Sequence, residues 1–175
     1  MRAAIIRKLI VDEHNELFDA QGMRYAEFPS DYSRVRDYAR LLLVECPHAF
    51  REDGLLGQQL SEIIKNGMKH GNRKDPKKRL KIWYDLRKRA RFIVGDEGDG
   101  FQELEKWNEF FMHRQLALQR EDFDTFLGMA SWRGTNSDAA DGGNSLFAAL
   151  EYWNGGMIYN ERKNKAGVVR WFSRG

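Results

Sequence analysis

The sequence predicts an α/β two-layer sandwich, with helices packed on one face of a mixed, mostly antiparallel sheet. Three observations carry that expectation. Apolar residues recur at helical spacing in several segments, such as Val35, Tyr38, Ala39 and Leu42. Elsewhere they occupy alternate positions, as Leu80, Ile82, Tyr84 and Leu86 do against Lys81, Trp83 and Asp85. The two patterns interleave as strand, helix, helix, hairpin, helix, hairpin, which lays helices over a sheet rather than separating them. A chain of 175 residues favours a single domain, and 42% hydrophobic with 31% charged residues excludes disorder, collagen and coiled coil as the whole answer.

Each element has a local reason. Residues 1–28 contain one or two short strands around a turn at Gln21-Gly22, residues 1–22 being an N-terminal extension. Ser30 and Asp31 are N-cap candidates, since their side-chain oxygens accept from free amides of a first helical turn. The helix that follows carries Val35 to Cys46 on one stripe, and Pro47 stops it. After Gly54 and Gly57, a second helix presents Leu56, Leu60, Ile63, Ile64 and Gly67, then ends at Gly71-Asn72. A hairpin at Leu80–Leu86 and Ala90–Val94 turns through Arg87–Arg89. Residues 101–141 form a lid or insert, with a helix from Glu103 through Leu104, Trp107 and Phe111. Trp107, Phe110 and Phe111 favour packing within the chain. Gly142-Gly143 opens a last helix with Leu146, Ala149, Leu150 and Trp153 as its stripe. Met157–Asn160 and Val168–Phe172 close the chain as a hairpin around Lys163–Gly167.

Composition narrows the function classes. The net charge is +3, from 29 Lys and Arg against 26 Asp and Glu, less than dedicated nucleic-acid binders carry. Eleven of those cations crowd Lys69–Arg91, a solvated face or a surface for a polyanion or acidic protein. One cysteine, Cys46, excludes an internal disulfide framework and a Cys-based zinc site, and suits a core position. His14, His48 and His113 lack partners at metal-ligand spacing. Apolar runs are too short to span a bilayer, so a cytoplasmic protein without membrane contact is expected.

Three motifs could carry chemistry. Glu62, Asn66 and His70 recur every fourth residue, so they form one polar stripe bordering the apolar face of their helix. Such a stripe can look into a cleft or be an ordinary solvated flank. Asp96-x-Gly98-x-Gly100 closes a strand, where glycines let a ligand approach the backbone and an acid can accept from an exocyclic amine or hold a metal. The same run can be a tight loop. Gly142-Gly143-x-Ser145-Leu146 precedes a helix, whose free amides make an anion site, although glycines before helices are common.

Taken together and in this order, ExxxNxxxHG, DxGxG and GGxSL resemble the GHKL (Bergerat-fold) ATPase superfamily, with its histidine-kinase-like ATPase domains. Within it the chain is most similar to the serine-kinase anti-sigma factors, over roughly Met23 to Arg174. The resemblance implies a Bergerat-type fold that binds ATP with Mg²⁺. It implies Glu62 as general base and Asn66 as the oxygen ligand of Mg²⁺. It places Lys69, His70 and Gly71 at the nucleotide, Asp96 on the adenine amino group, and Gly98 and Gly100 around it. Gly142, Gly143, Ser145 and Leu146 would form the phosphate end of an ATP lid. A protein serine/threonine kinase follows, phosphorylating a STAS-type anti-anti-sigma partner and sequestering a sigma factor or similar regulator. A homodimer is a further implication.

The chain departs from that family at Ser145, where a second glycine is usual, at Asp141-Gly142, where some relatives carry a basic residue, and at Val168, where threonine is frequent. These departures motivate an alternative, an ATP-dependent binding module without catalysis. A third reading, a nucleic-acid-binding domain using Arg73–Arg91, belongs to a different class and predicts steep salt dependence.

Overall fold

A computed structural model describes residues 7–51, 54–135 and 144–172. Within them six strands form one sheet: β1 (Ile10–Val11), β2 (Arg24–Pro29), β3 (Arg79–Asp85), β4 (Ala90–Gly95), β5 (Gly156–Tyr159) and β6 (Lys165–Arg170). Their spatial order is β1-β5-β6-β4-β3-β2. Only β1 and β5 run parallel; every other neighbouring pair is antiparallel. The mixed, mostly antiparallel α/β character expected from the sequence is therefore present.

Side chains in a strand alternate between faces, so register decides what is buried. Ala26, Ile82, Val94 and Ala166 lie in one cross-strand row, and Tyr84, Phe92, Val168 and Met157 in another. Apart from Ala166, which is buried beside it, both rows belong to the main core together with the helices' apolar stripes. Those helices are α1 (Val35–Leu42), α2 (His48–Arg51), α3 (Leu56–Asn66), α4 (Leu104–Gln119), α5 (Phe123–Gly128) and α6 (Ser145–Tyr152). Leu60, Ile64, Met68, Leu80, Ile82 and Phe92 are fully enclosed where α3 meets the sheet. Burying side chains of this size contributes about 1.5–3 kcal/mol each, which fixes α3 against β3 and β4. Cys46 is buried in the same core.

The opposite face carries the row Tyr25, Trp83, Ile93, Gly167 and Ile158. The N-terminal segment crosses part of it as a 3₁₀ turn, Glu16–Phe18, whose Leu17 packs on Ile158 and Val169. A Cβ on Gly167 would stand 3.2 Å from Leu17 Cβ, so glycine makes room for this crossing. Buried Arg91 donates to the carbonyls of Glu16, Leu17 and Asp19 and pins the turn to β4.

Several local expectations need correction. The turn at Gln21-Gly22 exists, with Gly22 at φ 72°, but β1 and β2 do not pair across it. They sit at opposite edges, because the chain between them traverses the outer face. Asp31 caps a 3₁₀ turn, Tyr32–Arg34, through the Ser33 amide, and α1 begins only after it. Ser30 caps nothing; it is buried and accepts from Asn72. The last hairpin turns at residues 160–164, so Lys165–Gly167 lie in β6 and Trp171 and Phe172 beyond it. The reason is Asn160, whose Oδ1 accepts from the amides of Asn164 and Lys165 and closes the turn early. On α6, Phe147 is buried in place of Leu146, inside an aromatic cluster with Trp107, Phe110 and Phe111. The short helices α2 and α5 carry too few residues for a periodic signal. Among the described residues, no helix is long and apolar enough to cross a membrane.

Candidate active site

The last turn of α3 does not stay α-helical. Gly67–Gly71 forms a π-helical turn, which the Asn72 amide closes onto the Gly67 carbonyl at 2.8 Å. Such widened turns shift the side chains beyond them relative to a regular helix. Here the turn carries Gly71 onto the end of β4, so that a Cβ on Gly71 would lie 2.2 Å from Asp96 Cγ. The stripe on α3 and the strand-end acid therefore meet because of a backbone irregularity that helical periodicity cannot show.

Asn72 locks this junction. It is fully buried, donating Nδ2 to Ser30 Oγ at 2.6 Å and to the Arg79 carbonyl at 2.9 Å. Its Oδ1 accepts from the Glu97 amide at 2.7 Å. One side chain thus ties together the end of β2, the start of β3 and the loop after β4.

That loop is shaped by close backbone approaches. The Gly98 amide donates to Asp96 Oδ1 at 2.8 Å. A Cβ on Gly98 would fall 2.0 Å from the Gly71 carbonyl oxygen, and one on Gly100 1.8 Å from that of Arg162. Gly100 also has φ 87°, in the left-handed region that favours glycine. The β5–β6 turn supports the loop from the other side: the Asp96 amide donates to the Asn164 carbonyl, and Asn164 Nδ2 donates to the Asp96 carbonyl.

Burial in this setting pushes the Asp96 carboxyl up to about 6, despite the opposing Gly98 amide and the more distant Lys78 and Arg162. Tyr159, which also borders the site, is raised by burial and then by the charge of Asp96. A carboxylate held in a desolvated cleft is the environment in which a specific donor is most strongly felt.

These elements enclose a cavity of about 500 Å³, within the range of small-molecule sites. Glu62, Asn66, His70, Gly71, Asp96, Gly100, Ser145 and Leu146 all border it. The expected site residues therefore converge from α3, the end of β4 and the start of α6. Gly98 does not line the cavity; it packs beneath Asp96, where there is space for no Cβ. Lys69 does not line it either, and Gly142 and Gly143 lie outside the described residues. Glu62 Oε1 accepts from Lys65 Nζ at 3.0 Å.

The cavity also has walls that the motifs did not announce. Phe101, Trp107 and Trp132 supply aromatic surface, and Lys163 and Asn164 reach it from the β5–β6 turn. Glu103 accepts from the amide and the hydroxyl of Thr135, both at 2.7 Å, and anchors the end of the 129–135 segment near Trp132. The one available sequence signal was the repeated asparagine, Asn160 and Asn164, in a hairpin turn. Among the described residues there is no group of three or more His, Cys, Asp and Glu that could hold a metal, so a cation here would depend on a ligand such as Asn66 together with oxygens of a substrate.

Much of the basic stretch stays exposed, although some of its cations are engaged within the chain. Arg91 is buried, Arg87 pairs with Asp85 at 2.9 Å, and Arg79 with Glu27 at 3.7 Å. Compared with known proteins, the chain matches no family model and no curated protein.

Proposed function

We propose that this protein is a cytoplasmic Mg-ATP-binding protein serine/threonine kinase of the anti-sigma-factor type, with a Bergerat-like ATP site. One observation carries the reading: Asp96 on one wall and the Glu62–Asn66–His70 stripe on another face a single cavity large enough for a nucleotide. The donor set suits that ligand. Asp96 offers a half-buried acceptor with its second oxygen available to an exocyclic amine, since Oδ1 is held by the Gly98 amide. Asn66 offers a neutral oxygen to a hard cation lying among phosphates. Phe101 and Tyr159, with ring centroids 6.1 Å apart, offer apolar surface near Asp96.

When bound, Mg-ATP supplies the transferable phosphoryl group: a bond forms from the acceptor oxygen to Pγ, the bond from Pγ to the bridging oxygen breaks, and ADP leaves. Glu62 takes the proton of the acceptor hydroxyl through Oε2, while Lys65 holds Oε1 and orients the carboxylate. Phosphoryl transfer asks mostly for positioning, which a rigid helix flank and a fixed acid can provide, and for charge neutralisation, which Mg²⁺ would supply. The acceptor would be a STAS-type anti-anti-sigma domain, and a sigma factor or similar regulator the sequestered target.

The test is a calorimetric titration with ATP in the presence and absence of Mg²⁺, followed by phosphate transfer to a STAS-type protein. Saturable, Mg²⁺-dependent binding and label transfer are expected; no saturable heat in the wild type overturns the reading. Binding without transfer would assign the chain to an ATP-dependent binding module instead.

A further inference from the structure

The carboxamides of Asn160 and Asn164 form a chain whose polarity cannot be reversed. Asn160 is buried, and its Oδ1 accepts from the backbone amides of Asn164 at 3.0 Å and Lys165 at 2.9 Å. A backbone N–H only donates, so Oδ1 must lie on that side and Nδ2 on the other. Nδ2 donates to Asn164 Oδ1 at 2.9 Å. That leaves Asn164 Nδ2 to donate to the Asp96 carbonyl at 3.1 Å, a group that only accepts. Flipping either amide would set oxygen against oxygen and N–H against N–H.

The chain of bonds ends on the peptide that follows the strand-end acid. The Asp96 amide donates to the Asn164 carbonyl at 2.9 Å, so Asn164 grips Asp96 on both sides of its Cα. On the far edge of the same peptide, the Glu97 amide donates to Asn72 Oδ1 at 2.7 Å. The 96–97 peptide plane is thereby held from both edges by carboxamides. Its orientation fixes where the Gly98 amide meets Asp96 Oδ1, and with it the direction of the carboxylate. Asp96 and Asn164 both line the cavity. An acceptor discriminates between donors only while it is held in place, because a misplacement of about 1 Å is enough to lose the bond.

We infer that Asn160 and Asn164 are positioning residues for Asp96, and that through it they set how strictly the cavity selects a 6-aminopurine over a 6-oxopurine. The inference rests on the nucleotide reading for its ligand, whereas the positioning itself has a readout that needs none. Neither asparagine has to touch the base. A 6-amino group donates to the fixed carboxylate; a 6-oxo group presents an oxygen to it, and the two acceptors repel. A carboxylate free to turn aside forfeits the donor and escapes the repulsion, so the preference shrinks from both ends.

Asn160→Asp tests this with almost unchanged shape. An aspartate still accepts from the Asn164 and Lys165 amides and keeps the turn closed, but it has no N–H for Asn164 Oδ1. Asn164 then turns its Nδ2 to the new carboxylate and its oxygen to the Asp96 carbonyl. Amide exchange of the nucleotide-free full chain, followed by NMR, should be about tenfold or more faster at Gly98, while Asn164 and Lys165 stay protected. Calorimetric titrations then compare Mg-ATP with its 6-oxo analogue, Mg-inosine triphosphate, at a pH where Asp96 is ionised. The wild type should prefer ATP by about tenfold or more, and the variant by less than about a third of that factor. The added charge acts on both triphosphates alike and cancels in the ratio. Because a buried charge at 160 costs stability, Asn164→Ala is run beside it; it deletes the donor to Asp96 and should give the same Gly98 and selectivity results. A wild type that binds both triphosphates equally, or variants in which both weaken by the same factor, overturn the selection. An unchanged Gly98 amide in both variants overturns the positioning. If the wild type binds neither triphosphate, the nucleotide reading falls, and the exchange pattern alone decides whether the asparagines position Asp96.

Discussion

Asp96→Asn separates the stability of this fold from its proposed chemistry. Burial lifts the Asp96 carboxyl from an ordinary 3.8 to about 6. The sign follows from proton linkage: the folded state holds the proton more tightly, so between those two values the fold binds more protons than the unfolded chain. Stability contributed by this residue is highest at acid pH and falls as pH rises through that window. A shift of roughly two pH units corresponds to about 3 kcal/mol lost by pH 7, at 1.36 kcal/mol per unit. Asparagine is never charged, yet its carbonyl can still accept from the Gly98 amide that now holds Oδ1. The variant should therefore be more stable than wild type at pH 7 by up to about 3 kcal/mol, a rise in Tm on the order of 6–12 °C for a chain of this size. At pH 4 the advantage should nearly vanish. Urea denaturation of both proteins from pH 4 to 8 measures this. A difference between them that does not vary with pH would refute the burial argument. ATP affinity of the wild type should weaken below about pH 6, and the variant should not bind.

Other outcomes follow from single contacts. Asn72→Ala removes three hydrogen bonds of a buried side chain that join β2, β3 and the loop after β4; a loss of about 2–4 kcal/mol is expected, read as a lower urea midpoint with an unchanged slope. Gly100→Ala would press a Cβ against the Arg162 carbonyl at a positive φ, so stability should drop by more than about 2 kcal/mol and ligand binding with it, both measurable by thermal melts with and without nucleotide. Glu62→Gln should bind Mg-ATP within about twofold of wild type but transfer phosphate at least a hundredfold more slowly, the lower end of what a positioned base contributes; an unchanged transfer rate would take Glu62 out of its role. Arg91→Ala should free the Glu16–Phe18 turn and raise amide exchange there without changing that of α3.

Much of the fold could be read from residue pattern because the core obeys it. The stripes of α1 and α3 and the alternation along β3 reflect which side chains must leave water, and that requirement is written locally. Where the pattern failed, another force had decided. Leu146 and Phe147 compete for the inner face of α6, and the aromatic cluster around Trp107 chooses Phe147. The final turn closes at Asn160 because a buried carboxamide satisfies two amides there, which hydrophobicity does not register.

The sequence by itself determined the α/β layering, the polar stripe of Glu62, Asn66 and His70, and the glycine-flanked acid at the end of a strand. Each depends on neighbours a few residues away. Tertiary structure alone decided that the stripe and the acid share one cavity, through the π-helical turn at Gly67–Gly71 and the bonds of Asn72. It also placed β1 and β2 at opposite edges, and left Gln59 and Trp107 buried with polar atoms unmatched. Such facts arise from contacts between residues distant along the chain, where geometry and desolvation, rather than local preference, set the outcome.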